Sequence, residues 1–397
     1  MKIRLATMIG NLLGHYDTAL YGLVAPFIAP LFFKTQDPLT ALILTYAITP
    51  LSILTRPLGS LFFGWLSDVR GKKDALFYSL MGMAMTTALM GMLPTYAQIG
   101  SLAPCLLACG RMLQGFFSAG ESASASIAVM ESTPVDRRSW ISSWYDVSSV
   151  SGMLVASALA SCFYTQWRIL FIGGSLTALF GLMLRSKMPI IDHASEKQMP
   201  IMKAVLENKK ALVSIALASG FSSITYAMAF TLMNVYAPLV SKVTQKEMMA
   251  IHTPLLIVDM ALLPGFGWLA HRFGRNKIML IGALSSASLA LPLFACLENA
   301  SMISVLFVRF AIVVFGVAFA APYHAWKVEQ IPSAYRCTLL AMGCTLGAKL
   351  IGAPVSAVCL WLYQMTGIVW APGIYLVVCG LLGAASIQLK PSLKSTK

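Results

Sequence analysis

Apolar runs of about 20 residues, recurring about twelve times between short polar breaks, constrain this 397-residue chain more than any other feature. No water in a bilayer core satisfies the peptide groups, so a run long enough to cross ~30 Å crosses as a helix, whose backbone bonds close within the segment. The expected spans are 8–33, 40–66, 75–97, 102–131, 139–164, 167–186, 209–240, 246–270, 278–297, 301–330, 338–362 and 367–388. These runs lack the strict alternation of porin-type strands, which excludes a transmembrane barrel of that kind. Composition agrees: 58% hydrophobic residues, 11% charged and a mean hydropathy of +0.75 give more apolar surface than one soluble core hides. The expected class is an all-α membrane protein.

The formal charge is +14. Its distribution follows topology: Lys2, Arg4, Arg70, Lys72, Lys73, Arg137, Arg138, Arg185, Lys209, Lys210, Arg272, Arg275 and Lys277 all fall on one side of the expected spans. Lys34, Arg168, Lys242 and Lys246 fall on the other. By the positive-inside rule both termini are expected in the cytoplasm of a multi-pass plasma-membrane protein. The basic balance therefore points to the lipid bilayer and its anionic headgroups, not to nucleic acid. The first apolar run exceeds a signal-peptide core and lacks a small-residue cleavage pattern, so it is expected as a retained helix. Cys105 and Cys109 share a helix face, but no histidine or carboxylate pair accompanies them, which favours packing over a metal. No disulfide framework, metal or cofactor is expected, and oligomeric state is unreadable, with a monomer acceptable.

Two stretches about half a chain apart match: Gly64-Trp65-Leu66-Ser67-Asp68-Val69-Arg70-Gly71-Lys72-Lys73, and Gly267-Trp268-Leu269-Ala270-His271-Arg272-Phe273-Gly274-Arg275-Asn276-Lys277. Each joins two apolar runs through a tight basic turn. The one long polar stretch, 187–208, separates six spans from six more. The expected organisation is an N-terminal six-helix bundle (1–186), a cytoplasmic connection (187–208) and a C-terminal six-helix bundle (209–397), related by pseudo-symmetry. Internal repeats of this kind are the signature of secondary transporters, whose substrate sites sit between repeats. Gly10-x-x-x-Gly14 and Gly343-x-x-x-Gly347 suit close helix approach without indicating a function.

A charge inside hydrocarbon costs at least ~2.5–3.5 kcal/mol, so each needs a partner, water or a function. The first half holds Asp17, Arg56, Arg111, Glu121 and Asp146; the second holds Asp259, Arg309, Lys327, Glu329 and Lys349. A carboxylate that moves towards or away from an arginine in such a medium takes up and releases a proton. Asp17, set among Asn11, His15, Tyr16 and Tyr21, suits a coupling or substrate role. Arg111 and Glu121 share a helix with Gln114 between them, nearly three turns apart, and so suit partners on other helices. For Glu121 an interhelical hydrogen bond is an equally good reading. Asp259 and Lys327 stand isolated in apolar runs and could pair, and His15 and His324 either titrate or serve as hydrogen-bonded packing residues.

The repeated turn is expected to act as a conformational latch at the cytoplasmic surface. Gly64 and Gly71 allow close packing and a tight bend, and Asp68 can accept from a helix N-terminus, Arg70 or Arg137, with Lys72 alongside. His271 replaces the acid in the second copy, where a weaker or pH-dependent latch is expected.

At these residues the chain resembles the major facilitator superfamily, and within it the metabolite:proton symporter branch that includes proline/betaine, 2-oxoglutarate, citrate and shikimate carriers. Gly10-Asn11-Leu12-Leu13-Gly14-His15-Tyr16-Asp17 with Tyr21-Gly22 resembles the branch's G-N-x-x-E-W-Y-D-F-x-x-Y-G. Arg56-Pro57-Leu58-Gly59 running into Gly64, Asp68 and Gly71, then Arg111-Met112-Leu113-Gln114-Gly115 with Glu121 and Glu131, resemble two further motifs. Glu329-Gln330-Ile331-Pro332 with Arg336, Gly343 and Gly347 resembles E-x-F-P-x-x-x-R and a glycine-rich helix. The resemblance implies alternating access by two six-helix bundles in a bacterial inner membrane, coupled to protons through Asp17 and Arg111. Gly14 and His15 stand where the family usually has Glu-Trp, and Ala119 where it has glycine.

The expected function is proton-coupled import of a small organic acid or a zwitterion such as proline or betaine. Both charge signs among the membrane-depth residues suit a zwitterion, while the excess of Arg and Lys suits an anion. An exporter or antiporter on the same fold is the alternative, followed by a non-transporting sensor. An enzyme is not expected, since no nucleophile-base constellation, metal-ligand cluster or phosphate loop is present in the sequence.

Overall fold

The computed structural model describes residues 2–34, 48–186 and 201–389, and these contain helices and turns but no strand. The long helices are α1 (Lys2–Phe32), α2 (Thr49–Val69), α3 (Lys72–Met92), α4 (Leu102–Glu131), α5 (Arg138–Phe163), α6 (Trp167–Ser186), α7 (Lys209–Val240), α8 (Gln245–Phe273), α9 (Arg275–Ala295), α10 (Met302–Val328), α11 (Arg336–Thr366) and α12 (Ala371–Gln388).

Among the described residues, eight of these helices are long and apolar enough to cross a bilayer, fewer than the twelve or so expected: α3, α4 and α7 to α12. Polar and charged side chains account for the shortfall in α1 and α2. Asn11, His15 and Asp17 interrupt α1, and Arg56 and Asp68 interrupt α2, while α5 and α6 each include side chains outside the described residues. In α6 the stretch Trp167–Leu176 is apolar, and most side chains beyond it lie outside the described residues. Residues 40–47 of the expected second span and 187–200 of the expected connection lie outside the described residues. The end of that connection, Ile201–Glu207, is a short helix.

The chain divides into two compact units, Met1–Ser132 with Ser148–Gln198, and Thr133–Val147 with Met199–Lys397. Helix α5 thus contributes its first turns to the second unit and the rest to the first. In the first unit α2 packs along α4, α3 lies against α4 and α6, and α1 lies against both of those helices. Leu20, Val24, Ile28 and Phe32 of α1 bury against Trp167, Leu170 and Phe171 of α6. A side-chain carbon at Gly59 would run into the backbone carbonyl of Phe116, so glycine is what lets α2 and α4 touch. In the second unit α9 packs on α10 and α12, α7 on α11 and α12, and α8 on α10.

Exposure is inverted relative to a water-soluble protein. Leu58, Phe62 and Trp65 on α2, Ile303 and Phe307 on α10, and Trp361 and Met365 on α11 face outward, while Asn11, Asp17, Arg111 and Arg309 are buried. Lipid is as apolar as these outer side chains, so packing of small residues and internal polar contacts must hold the helices together.

Each half closes its second pair of helices with the same two turns. A glycine of positive φ stands between α2 and α3 and between α8 and α9, Gly71 at 100° and Gly274 at 96°, and α3 and α9 begin on the next residue. Past α4 and α10 the chain runs through Pro134 and Pro332 into single 3-10 turns, Val135–Arg137 and Ser333–Tyr335. The arginine after each turn folds back: Arg138 Nε donates to the Thr133 carbonyl at 3.3 Å and Arg336 Nε to the Ile331 carbonyl at 3.0 Å. The second half adds π turns at Met228–Leu232 in α7 and Gly347–Gly352 in α11.

Candidate functional site

Four side chains from three helices of the first unit form one hydrogen-bonded chain. Arg111 Nη1 of α4 donates to Gln114 Oε1 at 2.7 Å, Gln114 Nε2 donates to Thr87 Oγ1 of α3 at 2.9 Å, and Thr87 Oγ1 donates to Asp17 Oδ2 of α1 at 3.0 Å. Helical spacing places Arg111 and Gln114 on one face, three residues apart. The Arg111 guanidinium also lies over the Tyr21 ring, 4.1 Å from its centroid. Asp17 is 2% exposed and Arg111 5%.

Every bond in this chain points the same way. Arg111 has no acceptor, Gln114 receives at its oxygen and gives at its nitrogen, and Thr87 receives one bond and gives its only proton to Asp17. The chain therefore delivers donor character to the carboxylate from a cation two residues away. Asp17 and Arg111 do not form a direct ion pair. The other carboxylate oxygen, Asp17 Oδ1, is buried without a hydrogen-bond partner. It lies beside Gly174 of α6, where a side-chain carbon would come within 2.8 Å of it. An unpartnered buried carboxylate oxygen is costly and open to a proton or a cationic group.

Around this chain, Arg56 Nη2 donates to Ser118 Oγ at 3.0 Å, and Asn11 Nδ2 reaches Ser148 and Ser149 of α5 at 2.9 and 2.7 Å. His15 is half-buried on α1. Glu121 lies on α4, but its side chain is outside the described residues.

In the second unit Asp259 and Lys327 are both buried without forming an ion pair with each other. Lys327 Nζ instead lies 5.0 Å from the centre of the Tyr323 ring, one turn back on α10. The histidine of that helix does find an acid: His324 Nε2 and Asp146 Oδ1 are 2.9 Å apart. Arg309 is fully buried, with Nε donating to the Ala229 carbonyl inside the α7 π turn at 3.0 Å and Nη1 to the Met248 carbonyl at 3.4 Å.

The residues of the repeated turn take unequal positions. Gly64 and Gly71 are buried, Asp68 is half-buried and Arg70 is exposed. Arg137 is exposed, with its own neighbour Asp136 at 3.8 Å. Lys72 forms the ion pair of the first turn, with Glu131 at 2.7 Å. In the second copy Arg275, at the position of Lys72, meets Glu329 at 2.6 Å, and Arg138 reaches the same oxygen at 3.4 Å. Glu329 caps the end of α10 and is not a mid-span charge. His271 Nδ1 is 2.7 Å from the Asp136 carbonyl, so the second turn keeps ionic and polar ties although its acid is gone.

Sequence reasoning missed Thr87, the centre of the chain to Asp17. It is a neutral residue in an apolar helix, and a search for intramembrane charges passes over it. Asp146 and His324 were visible as polar residues, but nothing in their spacing pairs two helices 178 residues apart.

A family model described as "Sugar (and other) transporter" matches residues 3–190. The chain is 30% identical to the "Putative proline/betaine transporter" of Staphylococcus haemolyticus, over 96% of this chain and 86% of that protein. It belongs to the major facilitator superfamily. The "Proline/betaine transporter" of Salmonella typhimurium is 27% identical over 95% of this chain and 81% of that one. The solved proton:xylose symporter XylE aligns with a TM-score of 0.73 at 17% identity, covering 98% of this chain and 94% of its own. FucP in its outward conformation gives 0.73 at 11%, covering 96% and 97%. The protein is a multi-pass membrane protein and a secondary transporter of the proline/betaine type, not an enzyme.

Proposed function

We propose that this chain imports a small zwitterionic or carboxylate solute of the proline/betaine kind across the bacterial inner membrane, driven by protons, with both termini cytoplasmic. The names of its relatives support the solute class. The observation that carries the coupling is Asp17, a buried acid tied through Thr87 and Gln114 to Arg111 and left with one oxygen unpartnered. Such an acid exchanges a proton when the chain of donors behind it shifts, because its charged form depends on them. The repeats 1–186 and 209–397 alternate access, and the turns around Asp68 and Gly71 steady one state of that cycle.

Proteoliposomes loaded with a pH-sensitive dye test this reading with proline, betaine, 2-oxoglutarate, citrate and shikimate. Proton entry with proline or betaine, lost in Asp17→Asn while solute exchange persists, is the expected result. Accumulation by Asp17→Asn equal to that of the parent overturns the coupling role, and silence with all five solutes from a folded protein overturns the solute class.

A further inference from the structure

The second unit has its own titratable pair, which the chain through Asp17 does not use. Asp146 belongs to the first turns of α5 and His324 to α10, and their side chains are about 15–19% exposed. The 2.9 Å contact runs from His324 Nε2 to Asp146 Oδ1. A carboxylate only accepts, so Nε2 carries the hydrogen and the neutral ring presents a bare Nδ1. That Nδ1 is buried without a hydrogen-bond partner, and so is Asp146 Oδ2. A proton can therefore add to Nδ1 without breaking any bond the ring now makes. The Nε2 hydrogen bond remains and becomes an ion pair.

Aromatic and charged groups surround the ring. Lys327 and Tyr323 stand beside His324 on α10, Tyr145 on α5 sets its ring 4.8 Å from the imidazole, and the Tyr323 hydroxyl is 3.3 Å from Cys344 Sγ of α11. Asp259 of α8 and Lys327 are the other charged groups whose fields reach the pair. Asp146 favours a proton on the ring and Lys327 opposes one, so these two neighbours set the balance at His324.

We propose that Asp146 and His324 form a second proton-binding site, confined to the second unit, whose occupancy sets how firmly the first turns of α5 are held to α10. The proton comes from water, adds to Nδ1 and leaves by the same route. Because the protonated form is an ion pair and the neutral form a single hydrogen bond, low pH tightens this tie and high pH loosens it.

The test is nuclear magnetic resonance of the full chain in lipid nanodiscs with 15N-labelled histidine, the His324 signal being identified by its loss in His324→Gln. The expected result is a His324 titration between about pH 5 and 8 whose midpoint falls by about one unit or more in Asp146→Asn and stays within about half a unit of the parent in Asp17→Asn. An imidazole that does not titrate in that range, or a midpoint unmoved by Asp146→Asn, overturns the proposal. Glutamine at 324 keeps a donor towards Asp146, so loss of fold is not expected. Because this readout needs no solute, it stands apart from the failure of any transport assay.

Discussion

At the residue scale, Thr87 bears the heaviest constraint for its size. Its hydroxyl is the one atom that both receives from Gln114 and gives to Asp17, inside a site it shares with no water-exposed group. Thr87→Val preserves shape and deletes both bonds, leaving a buried carboxylate oxygen and a buried amide without partners. Each such orphan costs about 1–3 kcal/mol. We expect Thr87→Val to lower the unfolding midpoint in detergent and to weaken proton-driven accumulation, while Thr87→Ser restores both. Equal stability of parent and Thr87→Val would show that Asp17 and Gln114 have other partners. Asp17 and Arg111 were legible in the sequence because charge in an apolar run is conspicuous. Gln114 was legible too, in the motif that carries Arg111, but the hydroxyl of Thr87 that connects it to Asp17 was not, because a threonine in an apolar helix has many harmless readings.

At the scale of elements, the two halves repeat their turns more faithfully than their charges. Gly71 and Gly274 carry the same left-handed backbone, in a region that only glycine occupies readily. The motif match between the halves made this equivalence readable, whereas the carboxylates that secure the turns, Glu131 and Glu329, lie 60 and 55 residues beyond those glycines and come into place only through packing of α4 on α3 and α10 on α9. Their environments rank the two pairs. Glu131 and Lys72 have side chains only 10% and 13% exposed, so removing the acid strands a nearly buried ammonium, a loss of about 3 kcal/mol. The Glu329 side chain is 33% exposed, and solvent screening limits its pairs to about 1 kcal/mol or less. Glu131→Gln should therefore lower the melting temperature more than Glu329→Gln, and only the latter difference should shrink in high salt. The reverse order in a denaturation series would mean that Arg138 and Arg275 together make the second clasp the stronger one.

At the scale of the whole molecule, the repeat explains why two buried arginines occupy matching helices, and the structure explains why they do not share a job. Arg111 on α4 and Arg309 on α10 each lie 20 residues before the glutamate that closes their helix, Glu131 and Glu329. Arg111 gives its hydrogen bond to a side chain and through it addresses an acid. Arg309 gives its bonds to backbone carbonyls, one of them within the π turn of α7, so it supports a local irregularity in a helix instead of a titratable group. Charge counting placed both arginines in the membrane, but the division of labour depends on Gln114 and Thr87 in one half and a π turn in the other, and the π turn has no signature in the sequence. Substitution by methionine separates the two roles. Arg309→Met leaves the Ala229 and Met248 carbonyls without their donor, an expected loss of about 2 kcal/mol, partly offset because no buried charge needs solvating. Its folded yield and unfolding midpoint should fall, while any protein that folds keeps its proton-to-solute ratio. Arg111→Met leaves Gln114 Oε1 without its donor and should lower the midpoint as well, but it alone should lose that ratio. If Arg309→Met instead folds normally and transports without protons, the second unit's arginine belongs to the coupling machinery, and the two repeats are functionally closer than their contacts indicate.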